Sequence, residues 1–383
     1  MGRWPWPRAI HAKMIDILAA GHAKVVGNTV FFFEPQVDAG LAYINKINSL
    51  LEASTLKNIP DPIHQSELEQ LNVLLQEAGQ HLDNDKKFGD SMAKANNVAL
   101  SMLFDLGEPQ GKPDRPLPGY VIKNALSNVK SAAENSHIMP TFGVHVPIEA
   151  LGSRALAMGH LNSTPDVDGA IRTEPLVVGY FDQYFPSLSL MLAAKSLNLE
   201  PKDIQVSPGQ GVRAGNLFIA TDPALRMHTY FYADRDGKPA FPVDSFYDVL
   251  SGKIPADKYR DKIVLIGATA AGVGAVQITP VSPGMAPVLT LAHSVSSILK
   301  QDSIIVPSWG VWAEKGIFLL VALYLILLLP RLNAGVGAVV TAGLFIALLA
   351  THYGLMAAKA MWLQLMLPAV LLLAGYLLLT IKR

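Results

Sequence analysis

The sequence predicts an α/β fold, a predominantly parallel sheet of the Rossmann-like or doubly wound kind with flanking helices, followed by a bundle of three transmembrane helices. Three observations carry that reading. The stretch AKVVGNTVFFFEP (23–35) is apolar with little interruption, as a strand covered on both faces of a parallel sheet must be, and helical patterns flank it. The stretch KIVLIGATAAGVG (262–274) passes from β-favouring residues straight into a glycine-rich turn, as strands of doubly wound sheets do at their ends. From Gly310 onward the acidic and basic residues dwindle to Glu314, Lys315, Arg331, Lys359, Lys382 and Arg383, and the runs between them have membrane composition. A chain of 383 residues has room for two units, and the change of composition divides it into 1–308 and 309–383.

The elements follow in order. Behind Pro5 and Pro7, Ile10, Met14, Ile15, Ile17 and Leu18 share one helical face, and Gly21 ends the helix. The 23–35 strand stops at Pro35. A helix spans 37–53, and helical spacing returns in SELEQLNVLLQEAGQHL (66–82) and DKKFGDSMAKAN (85–96), ahead of the strand NVALSMLF (97–104). GEPQGKPDRPLPG (107–119) is loop by its Pro and Gly content, and YVIKNALSNVKSAAE (120–134) reads as helix. PSLSLMLAAKSLNL (186–199) reads as an amphipathic helix, NLFIA (216–220) as a short strand, and MHTYFYAD (227–234) as a strand turned by RDG. VDSFYDVLSG (243–252) is a short helix, and APVLTLAHSVSSILKQ (286–301) is a helix leading toward the membrane.

Three apolar runs approach the roughly 20 residues that cross a bilayer. They lie near 311–329, 334–354 and 361–380. Gly335, Gly337, Gly343 and Gly375 are the positions through which such helices can pack closely. Gln364, with Gly335 and Gly343, is the candidate contact to a membrane partner, and His352 is a second polar position. With three spans, Arg331, Lys382 and Arg383 share one side, which the positive-inside rule makes cytoplasmic, with Lys315 and Lys359 opposing it. Residues 1–308 then face the periplasm or the outside, and the C-terminus faces the cytoplasm of a bacterial inner membrane. Such export calls for a signal peptide or a preceding span, and MGRWPWPRAIHAKMIDILAAG has no apolar segment of that kind.

Composition excludes several functions. The chain has no Cys, which removes disulfides, thiolate metal sites and a Cys nucleophile. Lys plus Arg number 31 against 31 Asp plus Glu, no basic tract occurs, and nucleic acid is not an expected partner. Neither a GxSxG nor an HExxH motif is present, ten His are scattered without ligand spacing, and neither an enzyme, a metal nor a cofactor is expected. Gly267, Gly272 and Gly274 match neither the dinucleotide fingerprint nor a P-loop, which leaves a tight strand-end turn, with anion binding by its amides as the minor alternative.

The stretch GHLNSTPDVDGAIRTEPL (159–176) crowds polar residues between apolar runs. Set on a calcium loop by Asp166, Asp168 and Gly169, it would place Thr164 first and Pro175 twelfth, so the bidentate carboxylate is missing and calcium is not expected.

The ordered set GRWPWPR, HA, ID and AKVVG, then FFEP, then GHLN, DGAIR and FPSLSL, then KIVLIGATAAG with TPVS, then the membrane runs, resembles the second type of the CHASE group of extracytoplasmic sensory domains. It covers nearly the whole chain and is more specific than any one motif. The resemblance implies a bacterial membrane receptor with a further membrane helix ahead of the domain and a kinase or cyclase output beyond it. It makes 159–172 a structured turn beside a ligand cleft, in which Asp168 braces the turn, Gly169 takes a positive φ, and Arg172 pairs with Asp168 or with an anionic ligand. The candidate ligand residues are His160, Asn162, Asp168, Gly169, Arg172, Gly267, Thr269, Gly272 and Thr279. Two positions depart from the pattern: Thr29 and Ala275 stand where Asp is usual. The resulting expectation is a membrane-anchored sensor for an unknown small ligand or partner, self-associating or assembled with other membrane proteins. The alternative is a non-signalling accessory subunit derived from such a sensor.

Overall fold

In the computed structural model, which describes residues 4–113, 115–130, 138–234, 239–270, 272–307 and 309–381, the sheet is organised around the strand Val98–Leu106. Its first half pairs in parallel with Val25–Asn28 and with Ala157–His160, and Ile263–Ile266 pairs in parallel beyond Val25–Asn28. Its second half pairs antiparallel with Met139–His145, to which Val177–Tyr180 and then Gln183–Pro186 are added. A bridge between His160 and Ser187 returns the end of that series to Ala157–His160, and the sheet curls.

The predominantly parallel, Rossmann-like or doubly wound sheet is therefore corrected to a mixed, curled one with a single parallel wing. The reason is local. Val177–Tyr180 and Gln183–Pro186 are joined through only Phe181 and Asp182, with Phe181 at φ 51°, and a two-residue connection forces antiparallel pairing.

Both faces of the parallel wing are covered, which explains its unbroken apolar sequence. Val26, Val98, Leu100 and Met102 pack with Met14, Ile15, Phe88 and Met92 of the helices Arg8–Ala20 and Asn84–Ala95. Val25, Ala99 and Ala157 pack with the helices Leu188–Ser196 and Pro287–Lys300. Leu188–Ser196, expected to be amphipathic, is buried at every position, because an antiparallel sheet of Ile204–Ser207, Gly211–Ala214 and Leu217–Ala220 closes its outer side.

Other elements are shorter than their patterns. The strand begun at Val25 ends at Asn28, whose Oδ1 accepts from the Val30 amide at 3.0 Å and turns the chain away. Over the described part of the helix expected at 120–134 there is one turn, Gly119–Ile122, because the Asn124 side chain bonds the Tyr120 carbonyl and the Met158 amide instead of letting the helix continue; 131–134 lie outside the described residues. The strand expected over 227–234 is Arg226–Thr229; Tyr232 turns out to stack on His293. The RDG turn lies outside the described residues.

Two C-terminal helices are long and apolar enough to cross a membrane, Gly310–Arg331 and Ala334–Ala358, and both are largely exposed. The third apolar helix, Met366–Ile381, is shorter than the expected span. Its run is interrupted at the start because Met361 forms a bridge to Ile305, with the Trp362 amide donating to the Ile305 carbonyl at 2.9 Å. Leu325 packs against Gly375 and Leu329 against Gly337, whereas Gly335 and Gly343 meet no other part of the chain, so close packing runs through only two of the four expected glycines.

A Cβ on Gly159 would stand 2.6 Å from the backbone of Leu188. Gly159→Ala is expected to lower stability by about 1–3 kcal/mol, the usual penalty of overpacking. Denaturant unfolding of the full chain checks this, and an unchanged midpoint would show that the approach is relaxed at no expense.

Candidate functional site

The described residues enclose a cavity of about 560 Å³, a volume typical of small-molecule sites. It opens where the parallel wing ends. Thr29, Leu103, Leu161 and Ala268 follow the four parallel strands or close them, and all line it. Ligands of open α/β sheets bind at that end because the strands stop and the loops diverge. The start of the helix Pro287–Lys300 forms another wall through Pro287, Val288, Thr290 and Ser294. Trp4, Trp6, Arg8 and His11 supply an aromatic and basic wall, and the strand Thr173–Pro175 supplies Thr173 and Glu174.

The charges of the lining are unequal in their pairing. Arg8 faces Asp85 at 3.2 Å, donates to the Glu34 carbonyl at 3.1 Å and lies over the Phe32 ring. Burial and the neighbouring Arg8 charge push His11 down to about 4, so it is neutral at pH 7. Glu174 has no Lys, Arg or His partner among the described residues. Its carboxylate accepts from Ser189, with Ser187 and Ser294 also in contact, and burial raises its pKa against these hydroxyls. Thr173 Oγ1, Thr290 Oγ1 and Gln277 Oε1 also line the cavity, buried and without a partner. Unpartnered buried polar atoms are rare in folded chains, and these three belong to residues that line one cavity.

The sequence-derived candidates fall into separate groups. Asn162 lines the cavity, but its amide is engaged with the Phe104 backbone, accepting at 3.0 Å and donating at 2.7 Å. His160 is buried just behind, at the bridge to Ser187, with neither ring nitrogen bonded. Asp168, Gly169 and Arg172 form an exposed knot instead. Gly169 sits at φ 80°, Arg172 binds Asp168 through two bonds of 2.9 and 2.7 Å, and it also reaches Asp166 at 2.7 Å. Those bonds hold the Asp168 carboxyl well below the usual range and occupy the guanidinium. Gly267 leaves the room that Thr29 and Val288 fill, Thr269 and Gly272 are exposed on the turn, and Thr279 braces its hairpin through Ser282. Gln364 is exposed, and its backbone amide donates to Glu314 at 2.7 Å. No group of three or more His, Cys, Asp or Glu among the described residues could hold a metal.

The family model of the CHASE2 domain matches residues 1–329. The chain belongs to the CHASE2 domain family. No curated protein and no solved structure shows a match. This is a family of extracellular sensory domains, and the apolar helices at the end of this CHASE2 chain fit a membrane anchor. Thr29 and Ala275, the positions that depart from the family pattern, both line the cavity. Sequence reasoning missed Glu174, His11 and Thr290. A carboxylate set between Ile171 and Leu176 was the one available signal for Glu174.

His11 and His160 are buried and held neutral, at about 4 and about 3. Unfolded His binds protons below about 6.5, so this stability is full above that value and is lost as pH falls toward the folded values. Each contributes about 2 kcal/mol of loss by pH 5. The pH dependence of urea unfolding should be shallower in His160→Gln, and equal slopes would show that His160 is not held neutral.

Proposed function

We propose that this CHASE2 domain is an extracytoplasmic, membrane-anchored sensor that binds a small ligand in the 560 Å³ cavity and passes the change to its membrane helices. One observation carries the reading. The strand that presents Thr173 and Glu174 pairs with Arg226–Thr229, with Met227 opposite Glu174, and that strand pairs with Ser303–Ile304. Ile305, next in sequence, accepts from Trp362 and donates to the Ala360 carbonyl at 2.8 Å. His228 meets the Trp362 ring at 5.9 Å. A cavity wall and the ends of the apolar helices are thus one hydrogen-bonded unit.

Two measurements test this. In nanodiscs, compounds of a metabolite library that raise the melting temperature of the full chain should slow hydrogen exchange at 173–175, 226–229 and 303–305. Protection confined to 29–31 and 287–294 would remove the relay. For orientation, the absence of Cys makes Glu69→Cys and Ala334→Cys single labels. A membrane-impermeant maleimide should reach position 69 in intact cells and position 334 only after permeabilisation; the reverse pattern would place the domain inside.

A further inference from the structure

The cavity has one carboxylate without a cation and a surplus of acceptors. Glu174 is surrounded by Ser187, Ser189 and Ser294, all hydroxyls, which can donate to it but carry no charge. Burying a carboxylate without a cation is unfavourable by several kcal/mol unless it takes up a proton or meets a positive group. The candidate cations around it are otherwise engaged. Arg8 is committed to Asp85 and the Glu34 carbonyl, while His11 is neutral at pH 7, as is His160 behind the serines.

The rest of the lining favours the same sign. Trp4 and Trp6, 5.3 Å apart at 76°, add aromatic surface, which attracts cations through the ring quadrupole. The hydroxyls of Thr173 and Thr290 are free to accept. One feature pulls the other way, since a helix start attracts anions. Here, however, Pro287 has no N–H and the Leu289 amide is bonded to the Ala286 carbonyl at 2.9 Å, which leaves little for an anion.

We propose that the cavity takes a small organic ammonium ion, its nitrogen against Glu174 and its body among the threonine hydroxyls and the tryptophans. This rests on the sensor reading of the same cavity, and it names the class of ligand. Glu174 is the specificity-determining contact, because a ligand ammonium supplies the positive charge that the serine hydroxyls around it lack.

Calorimetry and thermal unfolding of the full chain in detergent, at fixed ionic strength, test it with pairs of equal shape. Choline is compared with 3,3-dimethylbutan-1-ol, putrescine with butane-1,4-diol, and acetate and phosphate stand for anions. At least one ammonium compound should bind roughly tenfold or more tightly than its neutral counterpart, a difference of about 1.4 kcal/mol. In Glu174→Gln, which keeps the shape and one acceptor oxygen but removes the charge, that preference should vanish. Equal binding of the members of both pairs, tighter binding of an anion, or no binding of either ammonium compound overturns the ligand class. The wild-type comparison decides even where the variant fails to fold. The exchange experiment on the membrane-embedded chain uses no assumption about charge, so its failure, and not this one, counts against the sensor reading.

Discussion

The approach of Gly159 to the backbone of Leu188 is the contact on which the arrangement of the site depends. With no side chain at 159, the start of the helix Leu188–Ser196 lies directly on the strand Ala157–His160. Ser187 can then bridge to His160 and close the curl while its hydroxyl accepts from the Leu190 amide at 3.2 Å, capping the helix. The same hydroxyl lies 2.8 Å from Ser189 Oγ, and Ser189 holds Glu174. A single missing Cβ thus fixes sheet closure, helix entry and the carboxylate of the cavity together.

The polar interior is tolerable because it is concentrated at the ends of strands. Along the parallel wing the residues are apolar on both faces, and the two clusters they build supply the burial that stabilises the domain. Beyond Asn28, Ile266 and His160 the ladder stops, and side chains complete the backbone bonding: Thr29 Oγ1 donates to the Ile266 carbonyl at 3.0 Å, and Asn162 pairs with Phe104 as a strand residue would. Such substitutions keep backbone groups satisfied while leaving a hollow. Among the buried polar atoms left unpaired, those of Thr173, Thr290 and Gln277 belong to residues that line that hollow.

The sequence made the layered α/β unit legible because two-sided burial leaves an unmistakable apolar run, as at Val25–Val26 and Val98–Leu100. It did not reveal the curl, since Met139–His145 and Gln183–Pro186 are amphipathic or short, and pairing between residues far apart in sequence leaves no periodic trace. The site was legible in its location and not in its chemistry. The stretch 159–176 does border the cavity, yet its most conspicuous residues, Asp166, Asp168 and Arg172, satisfy one another on the surface. Glu174, which lines the cavity, is unremarkable in sequence, because what sets it apart is that no cation pairs with it among the described residues, and that is a property of the folded environment. The third apolar run folds as a shorter helix than its pattern for a related reason: Met361 and Trp362 pair with Ile305, and the helix begins only at Met366.

The proposed relay asks which parts of the domain can move at small expense. The main sheet is packed on both faces, whereas the three-stranded sheet from Thr173–Pro175 to Ser303–Ile304 holds only two or three residue pairs at each edge. Short, half-exposed ladders open at lower free energy than buried ones. Its middle strand is nevertheless tied at both ends. Asp222 holds Arg226 at 2.7 Å, and Thr229 lies 3.2 Å from Ser294 on the helix that also contacts Glu174. Glu174 thus adjoins that strand through its pairing partner and through the helix, the two routes that the proposed relay would use. On the far side the apolar helices are braced by Tyr324 against Thr341 at 2.8 Å and by Leu325 against Gly375. In the proposed relay, helices tied in this way would take up a displacement at Ile305 by shifting together, because bending any one of them would break contacts with the others.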